Sequence, residues 1–211
     1  MQEKEHVWHR ETIDANVERA LHGLETIPTV ARFYLAGGTG LALHLGHRRS
    51  VDLDFFLAED FDVEAVLQHV QPLKGFSLVS KSPGTIYANV QGTKISFIAY
   101  VYPVLFPFQH FLGANVADPR DIGCMKISAI ASRGTKRDFV DLYVLAKQYG
   151  LDQFLTWFKT KFAKANYSMV HILKSLTYFD EAEQDPMPDI LVPLSWDEVR
   201  QFFTREAARL L

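Results

Sequence analysis

Residues 37–56 read GGTGLALHLGHRRSVDLDFF, and no other stretch limits the fold as tightly. An apolar strand, RFYLA at 32–36, runs into Gly37-Gly38. A helix over 39–47 follows, with Leu41, Ala42 and Leu45 on its buried face. Arg48 and Arg49 then precede a second strand over 50–57 that carries Asp52 and Asp54. Alternation along that strand points both carboxylates to one face, about 6.6 Å apart, and Val51, Leu53 and Phe55 to the other, into a core.

The flanking pattern completes an α+β outline. Ile13, Val17, Ala20, Leu21 and Leu24 recur at helical spacing, predicting an amphipathic helix over 12–26. Asp62 is placed to cap a helix over 63–70. Strands are expected over 75–80, 84–91 and 94–102, separated by Ser82-Pro83-Gly84 and Gly92-Thr93. Beyond residue 119 the texture turns helical, with helices expected over 119–132, 135–148, 151–164, 168–180 and 195–209. A mixed sheet with flanking helices over 1–115, followed by a helical bundle over 116–211 packed on it, is the expected organisation.

Composition narrows the function classes. A net charge of -3 excludes an overall basic protein, so any contact with nucleic acid has to come from a local patch. The single cysteine, Cys124, excludes an internal disulfide and suits a reducing compartment. The charged start, MQEKEHVWHRETID, lacks the apolar run of a signal peptide, and no run approaches membrane-spanning length. A cytoplasmic protein without a membrane partner is expected.

Two carboxylates on one face repel unless something positive lies between them. A divalent cation with oxygen ligands, Mg²⁺ or Mn²⁺, satisfies them, its remaining ligands coming from water and substrate phosphates. Glycines at a helix start let backbone N–H groups approach a phosphate, and Thr39 adds a hydroxyl. A glycine pair alone is consistent with a tight turn. An Asp-x-Asp pair alone is consistent with a solvated edge, its charge answered by Arg48 and Arg49. In this order, the parts together favour phosphoryl or nucleotidyl transfer.

The stretch resembles motif I of the polymerase-β-type nucleotidyltransferases, and more narrowly the AbiEii/AbiGii abortive-infection toxin family, with GG(T/S), a helix, then DxD. DPRDIGCMKISAIASRGTKRDFVDLYVLA, residues 118–146, resembles that family's Lys-…-Arg-…-RDxxDL segment. The resemblance implies that Gly37, Gly38 and Thr39 hold nucleotide phosphates and that Asp52 and Asp54 bind Mg²⁺. It also implies roles in activity for Lys126 and Asp141. Ser50 and Arg48 are grouped with the nucleotide-binding residues. The implied substrates are a nucleoside triphosphate and an RNA (such as a tRNA end) or protein acceptor, and a cognate antitoxin is the implied partner. One position departs from the pattern. Ser96, in KISFIAY, stands where a third carboxylate is expected, and a neutral serine is no base near pH 7. Asp141 is the first candidate to replace it. The alternative is a nucleotide- or partner-binding module that has lost the chemistry. A metal nuclease ranks last, because the residue two before Lys94 is Gly92 rather than an acid.

In the helical half, Lys126 and Arg133 lie seven apart and share a helix face. That face can offset triphosphate charge, or it can be a snorkelling lysine beside an arginine that complements the helix dipole. Thr135-x-x-Asp138 fits a capping box, which gives Asp138 a structural task and leaves Asp141 as the functional one. His44 and His47 lack a third ligand for zinc. Lys159, Lys161, Lys164 and Lys174 read as a solvated helix face.

Overall fold

The computed structural model describes residues 6–210. Its centre is a seven-stranded mixed sheet of order β3-β4-β5-β2-β1-β7-β6. In chain order the strands are β1 (Tyr34–Leu35), β2 (Leu53–Leu57), β3 (Ser77–Ser82), β4 (Thr85–Val90), β5 (Thr93–Ala99), β6 (Gln109–Phe111) and β7 (Ala114–Val116). The helices of its first half are α1 (Ala15–Glu25), α2 (Gly37–Leu45) and α3 (Val63–Val70). Those of the second half are α4 (Pro119–Ser132), α5 (Lys136–Tyr149), α6 (Leu151–Lys161), α7 (Met169–Ser175), α8 (Asp180–Gln184) and α9 (Trp196–Leu210).

Each sheet face has its own core. Val17, Leu21 and Leu24 of α1 and Val66, Leu67 and Val70 of α3 pack with Leu53 and Phe55 on one face. On the other, Tyr34 and Leu41 join Ile122, Ile127, Phe139, Leu142 and Phe154 of the helical half. Each large apolar side chain so buried stabilises the fold by roughly 1.5–3 kcal/mol. Residue 115 lies within β7, which pairs in parallel with β1, so the sheet itself links the two parts of the chain.

Several elements differ from the sequence expectation for local reasons. Helix α2 begins at Gly37, so the glycine pair is its first turn and not a preceding loop. The second strand starts only at Leu53, which leaves Val51 half exposed while Leu53 and Phe55 are buried. Asp62 caps α3 as expected, accepting from the N–H groups of Glu64 and Ala65. Gln91 and Gly92, both at positive φ, make the two-residue turn between β4 and β5. The strand expected over 94–102 stops at Ala99. The helix expected over 168–180 ends at Ser175, and a separate short helix, α8, starts at Asp180. The short strands β6 and β7 were not anticipated, since three-residue strands carry too little alternation to read. Lys161 is not solvated: its ammonium is buried and donates to Asp121 Oδ1 and the Pro103 carbonyl, each at 2.7 Å.

Candidate active site

The N-terminus of α2, strand β2 and the helices α4 and α5 enclose a cleft of about 430 Å³. Gly37, Gly38, Arg48, Ser50, Asp52, Asp54, Lys126 and Arg133 all line it. Thr39 and Asp141 stand behind this lining and shape it.

The α2 entrance is uncapped: Ala36 occupies the N-cap and offers no side-chain bond. The first intrahelical donor among these residues is Gly40 N–H, which bonds the Ala36 carbonyl. The preceding N–H groups belong to the set that a helix leaves without internal partners, and they open on the cleft. The glycines also make room for the protein's own side chains. A Cβ on Gly37, whose φ is +63°, would lie 2.6 Å from Asp54 Oδ2. One on Gly38 would lie 2.4 Å from Arg48 Nη2 and 3.0 Å from Ser50 Oγ. Thr39, expected to donate to phosphate, is buried. Its hydroxyl is close to the Asp52 carbonyl and 2.9 Å from Ser50 Oγ, which ties α2 to the approach of β2.

Asp52 and Asp54 face this cleft. The reading of a solvated edge required Arg48 and Arg49 as their partners, but Arg48 pairs with Asp141 and Arg49 with Asp189. Asp54 Oδ1 accepts a 2.6 Å bond from Ser96 Oγ. The register pairs Asp54 with Ser96 directly, so Ser96 occupies the place opposite the aspartate where a third acid was sought.

Asp141, the candidate to replace that acid, lies behind the cleft lining. It is fully buried, and its carboxylate receives Arg48 Nε at 2.6 Å and Nη2 at 2.8 Å, His47 Nε2 at 2.7 Å and Lys126 Nζ at 2.7 Å. Burial alone would raise its pKa. The charges of Lys126 and Arg48, with the hydrogen bonds of Arg48 and His47, outweigh that and hold it well below the usual carboxylate range. A carboxylate so held is a poor base. Asp138, expected only to cap α5, is the acid that lines the cleft. It takes Lys126 Nζ at 2.8 Å and the Thr135 hydroxyl at 2.6 Å. The capping box does not form, because Thr135 donates its hydroxyl instead of accepting. Burial acts to raise the Asp138 pKa, but Lys126 and Thr135 lower it overall. Lys126 is held protonated by Asp141 and Asp138 against the opposing effect of burial. Arg48 is likewise held charged by Asp141, Asp138 and Asp52.

Two exposed guanidinium groups complete the cleft. Arg133 caps the end of α4 and reaches Asp138 only at 3.6 Å. Arg137 lines the same rim and was missed as a site residue, although it is the arginine of the RDxxDL segment. His44, by contrast, bonds the Ala117 carbonyl at 2.9 Å, and burial lowers its pKa to about 4. No group of three or more His, Cys, Asp or Glu side chains poised for a metal occurs among the described residues.

The mixed sheet, with paired acids and the start of a helix on one cleft, belongs to a nucleotidyltransferase, as the family comparison shows. The family model described as nucleotidyl transferase AbiEii toxin, type IV toxin–antitoxin system, matches residues 19–78 and 90–209. The chain belongs to that family. It is 37% identical over 185 residues to an uncharacterized protein of Aquifex aeolicus, covering 85% of this chain and 88% of that one. Among solved structures, MenT4, a nucleotidyltransferase toxin of Mycobacterium tuberculosis H37Rv, superposes with a TM-score of 0.59 at 16% identity, covering 93% of this chain and 85% of that one. JHP933 of Helicobacter pylori superposes with a TM-score of 0.50 at 18% identity, covering 92% and 90%. Both share the fold. No helix among the described residues is long and apolar enough to cross a membrane.

Proposed function

We propose that this enzyme transfers a nucleotide from a nucleoside triphosphate to a hydroxyl on RNA or protein, with a divalent cation at Asp52 and Asp54. The observation that carries the proposal is the pair of acids that form no salt bridge with an arginine among the described residues, facing the same cleft as the uncapped start of α2. The donor set fits Mg²⁺ or Mn²⁺, being hard carboxylate oxygens with room for phosphate and water beside them. When bound, such an ion offsets phosphate charge and favours attack at the α-phosphorus. The chain's own groups do the rest. The α2 N–H groups hold phosphate oxygens, and Ser96 fixes the Asp54 carboxylate through its hydrogen bond. Arg48 and Lys126 set a positive floor, and Arg133 and Arg137 close on the polyphosphate from the rim. Residues 1–115 form the transferase core in this reading, and residues 116–211 supply the cationic wall. The family description supports a cognate antitoxin as partner.

The test is incubation with each labelled triphosphate, Mg²⁺ and total RNA. Label on an acceptor, lost in Asp52→Ala and in Asp54→Ala, is the expected result. Undiminished transfer in either variant refutes the assignment. Ser96 motivates a second reading, a binding module without transfer. Calorimetric triphosphate binding with no pyrophosphate released over long incubation would establish that reading instead.

A further inference from the structure

The chain between α8 and α9 reads DPMPDILVPLS, residues 185–195, and its three prolines stiffen it. A proline fixes its own φ and pushes the residue before it towards the extended region. Asp185, before Pro186, sits accordingly at φ -77° and ψ 144°. The far end of this segment pairs with the residues that follow α2. Arg49 N–H donates to the Asp189 carbonyl and Leu191 N–H to the His47 carbonyl, each at 2.9 Å, and Ile190 faces Arg48 in an antiparallel bridge. The near end holds the start of α5. Lys136 N–H donates to Asp185 Oδ2 at 3.0 Å. The Lys136 side chain, buried beside the Trp196 ring, donates its ammonium to the Asp185 carbonyl at 2.6 Å.

This clamp does the work of a cap. Thr135, at the N-cap of α5, makes no side-chain bond to the helix backbone. Asp185 supplies the missing acceptor, and its negative charge suits a helix N-terminus. The Thr135 hydroxyl is thereby left to donate to Asp138. Arg137 follows the clamped Lys136 directly, and both Arg137 and Asp138 line the cleft, whereas Asp185 does not.

We propose that residues 185–191 form a strap that positions the cleft's arginines for the polyphosphate, with Asp185 as the positioning residue for Arg137. The proposal rests on the nucleotidyl-transfer reading for its ligand and adds to it a residue that touches no part of that ligand. Extended chain from Asp185 to Asp189 spans at most about 14 Å, so the strap sets how far the start of α5 lies from the Arg48 segment. An arginine has a long, flexible stem, and its worth to an anion depends on how firmly its base is held. A nucleoside monophosphate lacks the outer phosphates that a rim arginine meets, and its binding should not depend on Asp185.

The test is calorimetry on the full chain with Mg²⁺ and each of ATP, GTP, CTP and UTP, the tightest being carried to the variants. Asp185→Ala is expected to weaken that triphosphate about five- to tenfold and to leave the matching monophosphate unchanged. Asp185→Asn keeps a capping acceptor and should restore affinity to within about twofold. Arg137→Ala should weaken the triphosphate similarly, and the double variant should lose little more than either single one, because both act on one contact. Leu191→Pro removes the N–H bonded to the His47 carbonyl at an exposed position. It provides a second variant, expected to weaken the triphosphate about threefold or more. A melting curve accompanies each variant. Parent-like triphosphate affinity in Asp185→Ala and Leu191→Pro, even with lowered melting temperatures, would overturn the strap and leave the transfer reading standing. Losses that multiply in the double variant would overturn Asp185 as acting through Arg137. Strap-dependent triphosphate binding with no pyrophosphate released by the parent would support the strap and refute the transfer reading. A parent chain that binds none of the four would overturn both.

Discussion

Asp141→Asn is the most informative single change in the molecule. The carboxylate lies at 0% exposure and receives Arg48 through two nitrogens, together with Lys126 and His47. Removing one partner of a buried charge pair costs about 3–5 kcal/mol, since the remaining charge stays buried without compensation. Lys126 retains Asp138 at 2.8 Å, which argues for the lower end, about 3 kcal/mol. For a chain of 150–250 residues that is a drop of about 6–12 °C in melting temperature. The amide preserves the packing volume, so the loss measures charge and not a cavity. Arg48, no longer held against Asp141, also loses its fixed position over Gly38, so triphosphate affinity should fall together with stability. Thermal unfolding followed by circular dichroism and a triphosphate titration on the same sample would check both. A melting temperature within about 2 °C of the parent, with unchanged affinity, would refute Asp141 as the anchor of the cationic floor.

The acid limb of stability should follow from the same cluster. Asp138 and Asp141 have folded pKa values below their ordinary 3.8, so their contribution is complete above about pH 4 and fades as pH falls through the folded values. Asp141→Asn should flatten the stability profile in that window, as read by denaturant midpoints between about pH 2 and 5. Gly38→Ala forces Arg48 and Ser50 off the α2 entrance. Triphosphate binding should weaken tenfold or more, the melting temperature should fall as well because Arg48 Nη2 also bonds Asp141, and parent-like affinity would count against the entrance as the phosphate seat. Ser96→Ala removes the 2.6 Å bond to Asp54, a charge-assisted contact worth roughly 1.5–3 kcal/mol. Transfer should slow by about 10- to 100-fold with triphosphate affinity largely kept, measured by pyrophosphate release.

The sequence made the site's first half legible because its information is local. Strand, glycine pair, helix and Asp-x-Asp follow one another within twenty residues, and the period-2 pattern alone sends Asp52 and Asp54 to one face. Helices α3 and α4 were equally readable: Asp62 caps α3, and the helix expected over 119–132 is α4. What the sequence could not show was which charge meets which. Asp138 and Asp141 are both acids on one helix, and spacing singled out Asp141 as the functional one, whereas Asp138 is the one that lines the cleft. The deciding contact, Arg48 to Asp141, spans 93 positions.

That long-range contact also explains why the helical half belongs to the site. Arg48 and His47 leave α2 just past the left-handed Gly46, where φ is +64°, and their side chains reach into α5 in place of solvent. Lys126 arrives from α4 and meets the same carboxylate. Three segments are thereby fixed by one buried acid, and its low pKa keeps the junction charged wherever the protein is folded near neutral pH. An apolar contact at this point would join the same segments at least as stably. It would not bring Arg48 and Lys126, which line the cleft, into fixed positions there. Under the transfer reading, the anion of a bound triphosphate would lie beside them.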